Sequence, residues 1–184
     1  MKKIILLCGI LSIFLMSCAS KKAADEVPAT VGKEGVSMPR WVMAGAESDD
    51  GIYAVGAAKM SNKQNSITAA RTNGRAELLR TIQTTLKTAI TTYAEDTGVA
   101  SQTLNYMEAA TVDRAAGILN GSQQKDYWMD DDGTVYVLMY LPFESLAIEA
   151  NDIVDEYVTD AKTRITEEKV AEALKKYNLL NTAE

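Results

Sequence analysis

The chain is 184 residues long, 47% hydrophobic and 24% charged, with 3 Pro and 11 Gly, fractions that exclude wholesale disorder and collagen-like or Pro-rich fibres. Nineteen basic residues against 25 acidic ones give a net charge of −6, so the basic footprint of a nucleic-acid binder is absent. Histidine is missing altogether, which removes the commonest general base, the commonest zinc ligand and every Ser-His or Cys-His dyad.

The N-terminus reads as an export signal. Lys2 and Lys3 precede an uncharged run of 13 residues, Ile4 to Met16, long enough for the apolar segment of a signal peptide and too short to span a bilayer. It ends in Leu15-Met16-Ser17-Cys18, which resembles a bacterial lipobox. Residues 1–17 are therefore expected to be cleaved, and Cys18 to carry a diacylglycerol on sulfur and an acyl chain on its freed amine. Two or three such chains anchor stably where one does not. Ala19 and Ser20 after the cysteine favour the outer membrane. Cys8 lies in the signal, so no disulfide is left to the processed chain. Residues 18–37, with Pro28 and no periodicity, read as the acylated cysteine and a flexible tether.

An ordered domain is expected over 38–142, opening at Met38-Pro39-Arg40-Trp41-Val42. Asp49-Asp50-Gly51 is a turn, and Ile52 to Ala58 a buried strand in which Gly56 marks a bulge or a close backbone approach. Ser61 and Asn62 offer helix caps. From Asn65 to Tyr93 the period becomes helical, with Ile67, Ala70, Gly74, Leu78, Ile82, Leu86, Ile90 and Tyr93 in one stripe. Ala70, Gly74 and Ala76 are small enough for the helix to press on a sheet. A second helix over 101–119 has Leu104, Met107, Val112, Ala115 and Ile118 as its stripe, with Asn120-Gly121 as the stop.

Ser122 to Met129 and Thr134 to Leu141 read as a hairpin about Asp130-Asp131-Asp132-Gly133. Val135, Val137, Met139 and Leu141 point one way and Tyr136, Leu138 and Tyr140 the other. Two apolar faces indicate a central strand, or one whose second face meets a partner. Residues 143–184 form a helical C-terminal region with a break expected near Thr163 to Thr166, or an exposed extension. The fold class is α+β: a small, mostly antiparallel sheet of about three strands under a long helix, with a second helix and a long C-terminal one.

Pro39-Arg40-Trp41-Val42, then Tyr53-Ala54-Val55-Gly56, then Ser66, Ala70 and Arg75-Ala76-Glu77-Leu78, then Val135 through Leu141 resemble the LPP-twenty family of bacterial outer-membrane lipoproteins. That resemblance implies a compact domain at the outer membrane without known catalytic residues. Some relatives are flagellum-associated and assemble into rings or disks, which implies self-association. Pro39, Trp41, Gly56, Ala70, Arg75, Ala76 and Leu78 are its motif residues, with structural roles; Gly74 stands where alanine is commoner.

Asp130 to Asp132 suggest calcium, but position twelve from Asp130 is Leu141, which cannot ligate, so a solvated turn is favoured. Trp41 is either an interface anchor or a cover for the sheet. Of Tyr127 and Trp128, one falls on each strand face. Arg71, Arg75 and Arg80 could form an anion patch, although pairing with Glu77 or solvation is favoured. Glu144 with Glu149, or Asp152 with Glu156, could pair carboxylates, and such acids usually form a helix's wet face. The chain contains no Gly-x-Ser-x-Gly or phosphate loop.

The expected function is a non-enzymatic, lipid-anchored envelope protein, periplasmic or surface-facing at the outer membrane, acting in protein–protein assembly. No catalytic, cofactor or metal site is expected. The partners are membrane lipid through Cys18 and either another protein or a second copy. The alternative is an envelope binding module for a small ligand, lipid or peptidoglycan fragment, held between the long helix and the sheet.

Overall fold

A computed structural model describes residues 30–46 and 48–181, with side chains through residue 178. The expected signal, Cys18 and the first part of the tether lie outside the described residues. In chain order the elements are α1 (Arg40–Ala44), β1 (Gly51–Ala58), α2 (Lys63–Thr97), α3 (Ser101–Ile118), a 3-10 turn (Leu119–Gly121), β2 (Gln123–Met129), β3 (Val135–Pro142), α4 (Phe143–Tyr157) and α5 (Glu167–Asn181). The sheet is antiparallel in the order β1-β3-β2. This is the expected α+β class, and the doubly apolar strand is the central one.

The α2 helix starts where Asn62 accepts a hydrogen bond from the Asn65 amide at 2.9 Å, closing one of the orphan donors of the first turn. It ends at Gly98, whose φ of 73° is the left-handed cap that glycine adopts without steric cost. Its 35 residues span about 52 Å at 1.5 Å per residue. They outrun the sheet, and the surplus length packs on α3 and α5.

The core lies between α2 and one sheet face. Leu78, Ile82, Leu86 and Ile90 meet Val135, Val137, Met139 and Leu141, all fully or almost fully buried. Ala76 departs from the expectation. It is exposed, because two residues from Gly74 is 200° around a helix, and only Ala70 and Gly74 face the strand. Val112 is likewise exposed and Thr111 takes its place inside, its hydroxyl satisfied by the Glu108 carbonyl at 2.7 Å.

The C-terminal region breaks over 158–166, which includes the expected Thr163 to Thr166. Asn151 fastens the break to α4: its side-chain amide donates to the Ile165 carbonyl at 2.8 Å, and its oxygen accepts from the Ile165 amide at 3.0 Å. The α5 helix then returns along α2 with Val170 and Ala173 buried, so it packs on the domain as far as residue 178.

The tether expectation is corrected at its C-terminal end. Residues 30–38 form a small docked hairpin in which Val31 bridges Ser37, Gly32 donates to the Val36 carbonyl at 2.9 Å and Met38 to the Thr30 carbonyl at 2.7 Å. The Lys33 amide joins it to the end of β2 by donating to the Met129 carbonyl at 3.1 Å. At Pro39 the chain turns into α1, a helical turn for which the sequence carries no apolar period.

Candidate functional site

The motif residues gather into two groups. Gly56, Ala70 and Leu78 meet where α2 crosses β1. A Cβ on Gly56 would lie 2.1 Å from both the Ala70 carbonyl oxygen and the Gly74 nitrogen, so strand and helix touch backbone to backbone. Leu78 continues that contact one turn on, with no exposed surface. Arg75 donates to the Leu119 carbonyl at 3.1 Å, tying the 3-10 turn to the long helix. Ala76 belongs to neither group.

Pro39 and Trp41 form the second group. Pro39 precedes α1 with extended φ and ψ, its fixed φ suiting the helix entry. The Trp41 indole donates to Asp126 Oδ2 at 3.0 Å. Asp126 lies opposite Leu138 on β3, hence on the sheet face away from α2. Trp128, opposite Tyr136, lies on the same face; it is 3% exposed and donates its indole N–H to the Val36 carbonyl at 2.9 Å. Residues 30–46 are thus a strap on the second sheet face. Tyr53 and Tyr140 cover the rest, with ring centroids 4.8 Å apart. Burial and neighbouring Asp50 raise the Tyr140 pKa above the usual phenol value. Tyr127 turns to the core side and bonds Lys63, which also pairs with Glu34, and that pairing lowers the Glu34 carboxyl and raises the Lys63 amine.

The acidic turn folds its carboxylates onto its own backbone. The Asp131 amide donates to Asp130 Oδ1 and the Thr134 amide to Asp132 Oδ1, both at 2.7 Å. Lys59 pairs with Asp132 at 3.2 Å. These bonds, the Thr134 amide first, hold the Asp132 carboxyl at about 2. Among the described residues no cluster of three potential metal-ligating side chains occurs.

The three arginines are separated by their contacts. Arg71 donates twice to Gln124 Oε1, at 2.8 and 3.0 Å, Arg75 holds the 3-10 turn, and Arg80 pairs with Glu77. Of the acids on α4, Glu149 and Glu156 are drawn together by Arg114 from α3, at 2.7 and 2.5 Å. Sequence reading did not find that clamp, because α3 and α4 are joined only through the intervening hairpin.

The helix–sheet interface, the ligand site of the alternative reading, is filled by the Gly56–Gly74 contact and the core. A surface cleft of about 400 Å³ lies elsewhere, between Ser48–Gly51 and α5, with Phe143 and Leu174 as apolar lining and Asp49 and Lys175 as charged lining. A family model described as LPP20 lipoprotein matches residues 39–141, more than half of the chain. No curated protein matches.

Proposed function

The chain belongs to the LPP20 lipoprotein family, which makes it a membrane-anchored lipoprotein of the envelope, and from that premise we propose that it is a non-enzymatic module for protein–protein assembly at the outer membrane, held there by acylated Cys18. The observation that carries this reading is where the motif residues go. Gly56, Ala70, Arg75 and Leu78 are spent on packing α2 against the sheet and the 3-10 turn, which leaves the surface as the functional part. The absence of histidine, and the Arg114 clamp that holds Glu149 and Glu156, support a role without chemistry.

The test uses the full chain in its own envelope. Cys18→Ala should move the protein from the detergent phase to the aqueous phase, and mass spectrometry of the wild-type amino end should show the acyl chains; unchanged partitioning defeats the anchor. Sedimentation of the detergent-solubilised wild type, together with in-envelope cross-linking, should show a complex larger than one chain. A second reading, a ligand-binding module, is favoured only by the cleft beside Phe143. A defined panel of lipids and peptidoglycan fragments would then raise the thermal midpoint by mass action.

A further inference from the structure

We propose that the outer edge of β1 is the assembly surface, and that it pairs antiparallel with β1 of a second copy of this chain across a two-fold axis. The inference rests on the assembly reading above and names its contact.

The direction of each backbone group on β1 follows from two bonds. Phe143 N–H donates to the Asp50 carbonyl at 2.9 Å, which makes Asp50 and Phe143 a bonded pair one step beyond the printed register of Gly51 with Pro142. Bonded and unbonded pairs alternate along an antiparallel ladder. Ile52, Ala54, Gly56 and Ala58 therefore bond to β3, while Gly51, Tyr53, Val55 and Ala57 turn their amides and carbonyls outward. The Ala57 carbonyl confirms the assignment, since it accepts from Asn73 of α2 at 2.8 Å, on the side away from β3. The outward groups of Tyr53 and Val55 have no hydrogen-bond partner within the described residues.

The two sheet edges differ in how they are guarded. The β2 edge has a bulge between Gln124 and Asp126, charged Lys125 and Asp126, and the docked hairpin bonded at Met129. Those are the devices by which folded proteins blunt an edge. The β1 edge has none of them: eight residues, Gly-Ile-Tyr-Ala-Val-Gly-Ala-Ala, without charge, proline or register shift. With one open edge among the described residues, edge pairing closes at two copies, as an isologous contact, and does not grow into a fibre.

Self-pairing also suits the side chains. With Tyr53 opposite Val55 of the second copy, the outward groups of both residues exchange four backbone hydrogen bonds, and Ala54 sits on the axis. Its small side chain lies under α2, which lets the two α2 helices lie side by side. Asn73, Glu77 and Arg80 then line the helix–helix seam at i, i+4 and i+7. Glu77 and Arg80 pair within one chain, so each copy brings a neutral pair to the seam.

Proline at position 55 tests this directly. The Val55 amide makes no bond to β3, so Val55→Pro deletes only the outward donor, at the kind of edge position that tolerates proline. Val55→Lys is the second variant, placing a charge on the same edge. The full chain in detergent should sediment as a dimer, and both variants as monomers with unchanged circular dichroism. Where proline costs the fold, the lysine variant decides. A monomeric wild type, or a dimer that survives in the folded variants, overturns the edge pairing. The second result leaves assembly standing through another surface. A wild-type monomer that also cross-links to nothing in the envelope removes the assembly reading itself.

Discussion

The backbones of Gly56 and Gly74 are in contact: a Cβ on Gly56 would stand 2.1 Å from the Gly74 nitrogen and 2.6 Å from its Cα. Neither atom can withdraw, because both belong to the buried backbone of α2. Gly56→Ala must lift the helix or bend the strand. The expected loss is at or above the upper end of the roughly 1–3 kcal/mol typical of overpacking. A lowered urea midpoint with an unchanged slope would show it; an unchanged midpoint would mean that the helix does not sit where the structure places it.

Gly74→Ala is the milder partner of that pair. Its Cβ would meet Met139 Cγ at 2.8 Å and the Gly56 nitrogen at 3.2 Å. The first is a flexible side chain that can turn aside. Alanine in mid-helix also recovers about 0.8–1.0 kcal/mol of propensity. Denaturation should therefore rank wild type, then Gly74→Ala, then Gly56→Ala in falling stability, and the reverse ranking of the two variants would contradict the contact geometry.

Much of this interface was legible in the sequence. Alternation at Val135, Val137, Met139 and Leu141, with Tyr136, Leu138 and Tyr140 between them, marks a strand buried on both faces, and Gly56 marks a close approach. Ala76 went astray because smallness was read without its angle, which puts it opposite Gly74. Thr111 displaced Val112 because a threonine that bonds its own helix backbone can be buried cheaply. The first half of the strap was not legible, whereas Trp41 as a cover for the sheet was. Residues 30–38 have no period of their own, and what orders them is Met129 and Trp128, about a hundred residues away. The edge proposed as the assembly surface needed the register of β1 on β3, which no local pattern reveals.

Asn151 closes the break before α5. Its side chain makes two hydrogen bonds to Ile165 and a third to the Ala147 carbonyl at 2.7 Å. Ile165 is 2% exposed, so its backbone groups would lose these partners away from bulk water. At about 1 kcal/mol for each of the two bonds to Ile165, Asn151→Ala should cost roughly 2 kcal/mol, and Asn151→Asp less, because the acceptor for the Ile165 amide survives. Hydrogen exchange should quicken at Ile165 and along α5 before it quickens at β3. Uniform acceleration would mean that α5 and the core open as one unit.

The Asp132 carboxyl titrates at about 2 in the fold against 3.8 as a free group, because the carboxylate accepts from the Thr134 amide and side chain and pairs with Lys59. A depressed acid stabilises the fold above its unfolded pKa, and that contribution is lost as pH falls through the folded one. Stability should therefore drop between pH 3.8 and about pH 2. In Asp132→Asn the drop over that window should be shallower while other carboxylates still titrate. Parallel wild-type and variant curves would dismiss the turn as a source of acid sensitivity. The side chain is exposed, so added salt should weaken the Lys59 part and spare the bond to the Thr134 amide.

Trp128 is what fastens the strap. Its ring is buried against Gly32, whose Cβ would come within 2.8 Å of the indole, and its N–H holds the Val36 carbonyl. Trp128→Phe keeps an aromatic ring and deletes the donor, leaving that carbonyl with the Gly32 amide alone. A loss of about 1 kcal/mol multiplies the population of the detached strap about fivefold. Trypsin has sites at Lys33 and Arg40, within the strap, and limited digestion should cleave there about fivefold faster in the variant while α2 stays intact. Trp41→Phe, which deletes the donor to Asp126 Oδ2, should quicken cleavage at Arg40 more than at Lys33, because the Lys33 amide keeps its own bond to Met129. Equal rates in wild type and both variants would show that residues 30–46 are held by something other than their two indoles.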